Sequence, residues 1–182
     1  CDSHTHIVFA GSRENEFVDK IKGLSYAEIA ARGGGILNSA RRLNETSEDE
    51  LYRQSYRRLL EVQRLGTGAL EIKSGYGLTL EGELKMLRVI RRLKQDSGMI
   101  IKSTFLGAHT IPAEYKENPE AYMDILLNQM LPDEAGEKLA DYIDVFCEKG
   151  FFSLVYQDIF FIAGLVLGLV PYIHVNHFNA FV

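Results

Sequence analysis

Apolar positions along the chain alternate between short continuous runs and helical stripes. The runs predict five β-strands, at residues 2–10, 69–73, 99–106, 141–147 and 172–175. Between them, apolar residues recur every three to four positions, as in the stripe Leu84, Leu87, Ile90 and Leu93. Strands that alternate with helices are typical of parallel βαβ units.

Two helix starts carry a more specific signal. Ser25 and Glu28, and again Ser47 and Glu50, have the spacing of a capping box. The first pair predicts a short helix that ends at the glycines of 33–35. The second predicts a long helix that ends at Gly66.

Polar side chains suited to chemistry accompany the predicted strands. His4 and His6 belong to the first strand, Tyr76 follows the second, His109 follows the third, and His174 lies in the fifth. A (β/α)8 barrel gathers the carboxyl ends of its strands around one site. An open doubly wound sheet often carries a glycine-rich phosphate loop, and this sequence has no such motif. We therefore predict an α/β fold, a partial (β/α)8 TIM barrel with about five βα units.

The length limits that prediction. The chain has 182 residues, whereas a complete barrel takes about 250. We expect residues 1–182 to form an incomplete barrel catalytic domain, with the last strands and further terminal segments outside this sequence.

Composition and charge exclude several classes of protein. Hydrophobic residues make up 46% and charged residues 25%, which is typical of a folded domain. The net charge of −5 argues against a nucleic-acid partner. Two cysteines provide no disulfide framework, so we expect a cytoplasmic location. The apolar run 159–173 is shorter than the roughly 20 residues of a membrane-spanning helix, and it predicts a buried helix followed by a buried strand.

The pair His4-Thr-His6 is the sharpest candidate for metal binding. Residues at i and i+2 of a strand point to the same side, so two imidazoles can share one ion. His174 is the natural third ligand, because a barrel brings the ends of the first and fifth strands together. Three nitrogen ligands and a water form an open catalytic site. A hydrogen-bonded core histidine is the alternative for His174.

Three further residues are candidates for contacting a substrate. His109 is placed to stabilise a developing oxyanion or touch the substrate, and a turn histidine is the alternative. Tyr76, flanked by glycines, suits either a ligand contact or turn packing. Arg13 suits a bidentate clamp on a carboxylate, and a solvated surface arginine is the alternative.

Other reactive side chains favour structural roles. Glu71 and Lys73 share one side of the second strand, which predicts a buried ion pair. Cys147 is interpreted as a small buried apolar residue, since nothing nearby signals a lowered pKa. Ser74 lacks the Gly-x-Ser-x-Gly context of a serine hydrolase.

Together these motifs resemble the imidazolonepropionase family of the amidohydrolase superfamily. The matching stretches are DSHTHIVFAGSRENEF, SYAEIAARGGGI, EIKSGYGLTLEGELKMLRVIRRL, STFLGAHTIPAEYK and YIDVFCEKG. EIKSGYG followed by ELKMLR is the specific part, because the histidine pair alone identifies only the superfamily.

The resemblance implies a barrel enzyme with one zinc or iron ion. It would open the ring of 4-imidazolone-5-propanoate, a small-molecule substrate, to N-formimidoyl-L-glutamate in histidine breakdown. The metal ligands implied are His4, His6 and His174. The substrate contacts implied are Arg13, Tyr76 and His109, of which His109 is also catalytic. We expect a homodimer as a candidate assembly, with no nucleic-acid or membrane partner.

Three departures from the family keep alternatives open. His177, a catalytic candidate, stands where the family commonly has an acidic residue. A carboxylate there would help bind substrate or move a proton, and an imidazole differs from it in charge and reach. The family's fourth ligand is an aspartate on a strand that we expect beyond Val182. The segment 151–170 matches poorly. The alternatives are another cyclic amidohydrolase or deaminase of the superfamily, and a non-catalytic fragment of such an enzyme.

Overall fold

Five parallel strands form one sheet. The computed structural model describes residues 1–25, 28, 34–147 and 152–172. The strands are β1 (Asp2–Thr5), β2 (Ala69–Lys73), β3 (Ile100–Ala108), β4 (Tyr142–Val145) and β5 (Val170–Pro171). Their order in space follows their order in the chain, and every neighbouring pair is parallel.

Helices separate the strands along the chain. Those described are α1 (Glu14–Ile21), α2 (Ile36–Glu45), α3 (Glu48–Arg64), α4 (Leu80–Ser97), α5 (Pro119–Ile125), α6 (Leu131–Glu137) and α7 (Leu154–Val166). A π-helical turn, Leu126–Met130, joins α5 to α6, and a 3₁₀ turn lies at Ala113–Tyr115.

The strand order favours barrel units over a doubly wound sheet. A doubly wound sheet reverses its order at a switch point, whereas these five strands run consecutively. The sheet also curls, because the Tyr172 hydroxyl just after β5 donates to the Ser3 carbonyl of β1 at 2.8 Å. The predicted α/β fold with a parallel sheet is confirmed, and it is compatible with part of a (β/α)8 barrel.

Local signals set two helix starts and the core as predicted, while residues 26–27 and 29–33 of the first predicted helix lie outside the described residues. The Glu28 carboxylate accepts from the Ser25 amide at 2.8 Å, and the Ser25 hydroxyl accepts from the Glu28 amide at 3.3 Å. The Ser47 hydroxyl accepts from the Glu50 amide at 3.3 Å, which caps α3. The predicted apolar stripe of α4 is buried along its length.

Several element boundaries differ from the sequence prediction. The first strand ends at Thr5 rather than at residue 10, and helices α1 and α2 were not predicted. The fifth strand, Val170–Pro171, begins before the predicted 172–175, of which 173–175 lie outside the described residues. These errors share a cause, because short polar helices and two-residue strands carry little periodicity.

The prediction that 159–173 forms a buried helix and strand is wrong for much of the helix. α7 packs only one side on the sheet, through Phe160, Phe161 and Gly164. Ile162 and Val166 are 62% and 81% exposed. A helix that is apolar all round has no polar side to turn to solvent. None of the described helices is long and apolar enough to cross a membrane.

Candidate active site

His4, in β1, and His6, just after it, lie next to each other at the end of the first strand. Thr5 between them is buried, and its hydroxyl donates to the Glu71 carbonyl of β2 at 2.7 Å. His4 is exposed and His6 is half-buried, with their ring centres 5.3 Å apart. β1 thus places two imidazoles next to each other at its carboxyl end.

The loop after β2 carries Tyr76, and its backbone amides are bound by the carboxylate of Glu83. Glu83, fully buried in the first turn of α4, accepts from the amides of Gly75, Gly77 and Leu78 at 2.9, 2.7 and 2.9 Å. Burial raises the pKa of Glu83, and the Ser74 hydroxyl and the loop amides oppose that shift. The backbone around Tyr76 is therefore fixed by one side chain.

Glycine is required within that loop for reasons of space. Gly75 has φ +104°, and a Cβ there would lie 2.9 Å from His109 Nδ1. A Cβ on Gly77 would lie 2.3 Å from the backbone of Gly82 and Glu83. Any larger residue would push the loop away from α4 or His109.

His109, directly after β3, packs against both His6 and Tyr76. Its ring stacks on His6 with centres 5.5 Å apart and lies 5.6 Å from Tyr76, while His6 and Tyr76 are 5.3 Å apart. His109 Nδ1 is 2.8 Å from the Gly75 carbonyl oxygen. A carbonyl oxygen only accepts, so Nδ1 donates and Nε2 of the neutral ring keeps its lone pair. We call His4, His6, Tyr76 and His109 the strand-end rings.

Arg13 lies near the rings but is already engaged by a carboxylate. Its Nε and Nη2 are 2.7 and 2.6 Å from the same carboxylate oxygen of Glu16. Burial raises the pKa of Glu16, but hydrogen bonds from Arg13, the Gly35 amide and Asn38 outweigh it and leave that pKa lowered. Glu16 therefore stays ionised and orients the guanidinium.

A cavity of about 230 Å³ opens beside the rings. Its lining includes His6, Tyr76, Arg13, Asn38, Ser39 and Arg42. The cavity thus connects the ends of β1 and β2 with helix α2. Burial raises the pKa of the Tyr76 hydroxyl, with a smaller opposing effect of Arg13. His109 is not among the described residues that line this cavity, but its ring packs against those of His6 and Tyr76, which do.

A second cluster of charges lies inside the curled sheet. The predicted pair is present, since Lys73 Nζ lies 2.9 Å from Glu71 Oε1, and it extends to Asp144 Oδ2 of β4 at 3.0 Å. The Thr104 hydroxyl of β3 donates to Glu71 Oε1. All four side chains are buried. Burial raises the pKa of Glu71 against the lowering effect of Thr104 and Lys73. We call Glu71, Lys73 and Asp144, together with the hydrogen-bonding hydroxyl of Thr104, the interior charges.

The described residues fit part of a metal site. Two imidazoles that bind one tetrahedral ion through bonds of about 2.0–2.1 Å hold their ring centres about 5 Å apart, which matches His4 and His6 at 5.3 Å. Among residues 1–25, 28, 34–147 and 152–172, no group of three or more His, Cys, Asp or Glu is arranged for a metal ion. The predicted ligand His174 and the predicted catalytic His177 lie outside these residues.

The remaining reactive side chains have structural surroundings. Ser74 is fully buried, and its hydroxyl oxygen accepts from the Leu106 amide at 3.0 Å. Burial raises the pKa of the half-buried Cys147, with Asp158 adding to it, which disfavours a thiolate.

Sequence reasoning missed three residues of this region, namely Arg42, Glu83 and Asp144. Arg42 lies one helical turn after Asn38 and so shares its side of α2, but that spacing does not show what the side faces. Asp144 interrupts an apolar strand, which is a signal for a buried partner. Glu83 carries no sequence signal that we recognise.

Comparison with known proteins shows similarity to bacterial imidazolonepropionases. The chain is 63% identical over 180 residues to the enzyme of Flavobacterium johnsoniae, which covers 99% of this chain and 44% of that protein. It is 62% identical over 180 residues to that of Christiangramia forsetii. The identity to that of Shewanella halifaxensis is 45% over 178 residues. No family model matches.

The chain therefore spans less than half the length of these relatives, 44% in each case. The resemblance inferred from the sequence motifs is confirmed along nearly the whole chain.

Proposed function

We propose that the polypeptide containing this chain is a metal-dependent hydrolase that opens the ring of 4-imidazolone-5-propanoate to N-formimidoyl-L-glutamate. The observation that carries the proposal is a cavity lined by His6 and Tyr76, with His4 and His109 packed beside them, whose charged lining residues are both arginines. Such a cavity suits a small anionic substrate. The similarity to imidazolonepropionases supports the same reaction.

We further infer that the sheet is part of a (β/α)8 barrel. The consecutive parallel order and the rings at the carboxyl ends of β1, β2 and β3 support this inference. The cytoplasmic location and the homodimer stay predictions.

In the proposed site, His4 and His6 hold one zinc or iron ion together with His174. When bound, that ion supplies Lewis acidity and lowers the pKa of a water molecule. The spacing of the two imidazole centres supports this assignment.

The chain's other residues position the substrate and move protons. Arg13, oriented by Glu16, binds the propionate carboxylate with its remaining N–H groups. The Tyr76 hydroxyl, kept protonated by burial, donates to the ring substituents. His109 Nε2, held by the Gly75 contact, accepts a proton and later donates it; His177 is a second candidate for that step.

Ring opening consumes one water molecule. Its oxygen adds to the ring carbonyl carbon, the bond from that carbon to the ring nitrogen breaks, and the nitrogen takes a proton. The carbonyl carbon becomes a carboxylate, and the product is N-formimidoyl-L-glutamate.

The direct test is turnover by the full-length protein. Loaded with zinc or iron, it is expected to convert 4-imidazolone-5-propanoate to N-formimidoyl-L-glutamate, and chelation is expected to abolish that conversion. Turnover of another cyclic amide or of an aminated heterocycle, with no imidazolone hydrolysis, would contradict the proposal.

A further inference from the structure

The charge in the cavity is unevenly neutralised. Its two charged lining residues are Arg13 and Arg42. Arg13 Nη2 lies 2.6 Å from Glu16 Oε2, and this ion pair neutralises the charge of Arg13 locally. Within the described part of the chain, Arg42 has no carboxylate within ion-pair distance. The guanidinium donates from Nη1 to the Ser12 carbonyl oxygen at 3.4 Å.

Arg42 is held against the loop after β1, which also carries Arg13. A Cβ on Gly11 would lie 2.8 Å from Arg42 Nη1, so the guanidinium rests directly on that backbone. Gly11 also has φ +71°, which favours glycine. The contact brings a residue of α2 to the cavity wall without a salt bridge to fix its charge.

The neighbouring Arg41 provides a contrast. It is exposed like Arg42, and its Nη2 donates to Asn38 Oδ1 at 2.9 Å. The guanidinium of Arg41 is thus engaged within α2, and Arg41 is absent from the described residues that line the cavity.

We propose that Arg42 is a second carboxylate-binding residue of the cavity and, with Arg13, determines specificity for anionic substrates. This assignment rests on the proposed function and names the substrate's carboxylate as the group that Arg42 receives. A guanidinium that is not neutralised by the protein gains a full charge-assisted, two-pronged contact when a carboxylate enters. Glu16 leaves Arg13 with fewer free donors for that role.

The test compares Arg42→Ala with Arg41→Ala in the full-length enzyme. Arg42→Ala is expected to raise KM for 4-imidazolone-5-propanoate about 10- to 100-fold, the loss of charge-assisted hydrogen bonds, with kcat nearly unchanged. Arg41→Ala is expected to change KM less than about threefold. Arg42→Lys keeps the charge without the fork and is expected to fall between them. Both arginines are exposed, so the variants should fold.

A binding measurement separates this proposal from the proposed function. Glutarate and its uncharged analogue glutaramide are titrated into the metal-free full-length protein and followed by NMR. Glutarate is expected to bind more tightly than glutaramide in the parent protein and in Arg41→Ala, and the preference should fall by about tenfold or more in Arg42→Ala, where only Arg13 of the pair remains.

The outcomes are distinct. An enzyme that hydrolyses the imidazolone while Arg42→Ala and Arg41→Ala behave alike in KM and in glutarate binding would overturn the role of Arg42 alone. Failure to hydrolyse the imidazolone, with a glutarate preference that still depends on Arg42, would overturn the proposed function and keep the carboxylate site.

Discussion

The interior charges lie within β2, β3 and β4, whereas the strand-end rings lie at or just after the ends of β1, β2 and β3, and the two sets differ in how their polar groups are satisfied. Lys73 touches carboxylates of β2 and β4 at 2.9 and 3.0 Å, so one buried ammonium group pairs with two buried carboxylates. The rings His6 and Tyr76 instead line an open cavity. Mutual pairing indicates a role in holding the strands together, whereas side chains that line a cavity are available for chemistry.

The largest expected effect comes from removing the cation of the interior charges. Lys73→Met leaves Glu71 and Asp144 buried without a counter-charge, which should lower the free energy of unfolding by about 3–5 kcal/mol. Urea unfolding of the full-length protein measures the loss.

Lys102→Met is the matched control for that experiment. Lys102 pairs with Asp141 at 2.7 Å, but its side chain is 49% exposed, so the expected loss is only about 0–1 kcal/mol. Equal losses in the two variants would show that the interior charges do not stabilise the sheet as we describe.

A smaller effect is expected from changing Glu83, the buried carboxylate that holds the Tyr76 loop. Glu83→Gln keeps the shape but turns an NH₂ group toward donor amides, so the free energy of unfolding should fall by about 1–3 kcal/mol. The Tyr76 loop should loosen, which lowers kcat/KM. Glu81→Gln in the same helical turn is the control, since its side chain is 83% exposed. A Glu83→Gln variant as stable and active as Glu81→Gln would contradict this account.

The smallest effect concerns Glu16 at the edge of the cavity. Its pKa is lowered by Arg13 and Gly35 against the effect of burial. The stabilisation is therefore present above the usual value of 4.5 and is lost as pH falls through the lowered pKa. Glu16→Gln should cost less than about 1 kcal/mol at neutral pH, and the difference should shrink below about pH 4. Urea unfolding at both pH values checks this, and a pH-independent difference would argue against the ion pair.

The contrast between the two regions also explains what could be predicted from sequence. The positions of His4, His6, Tyr76 and His109 followed from one rule, that parallel strands present their carboxyl ends together. The pair Glu71 and Lys73 followed from the period of a strand. Each of these signals can be recognised within a single strand and the few residues after it.

Two of the missed residues, Arg42 and Asp144, depend on contacts between distant segments. Arg42 meets the Ser12 carbonyl from 30 positions away, and Lys73 meets Asp144 across the intervening β3. Helical spacing gives the side of α2 on which Arg42 lies but not the loop that lies against it. For α7, an all-round apolar sequence predicted burial, yet only one side of the helix has the sheet to pack on.

The central claim is that the strand-end rings divide into a metal-holding pair and substrate-facing partners. The most direct measurement is the zinc and iron content of the full-length protein and of His6→Ala and His109→Ala after dialysis. We predict that His6→Ala loses bound metal and turnover together, while His109→Ala keeps near-stoichiometric metal and loses turnover. Full metal retention in His6→Ala, or metal loss in His109→Ala equal to that of His6→Ala, would contradict the account.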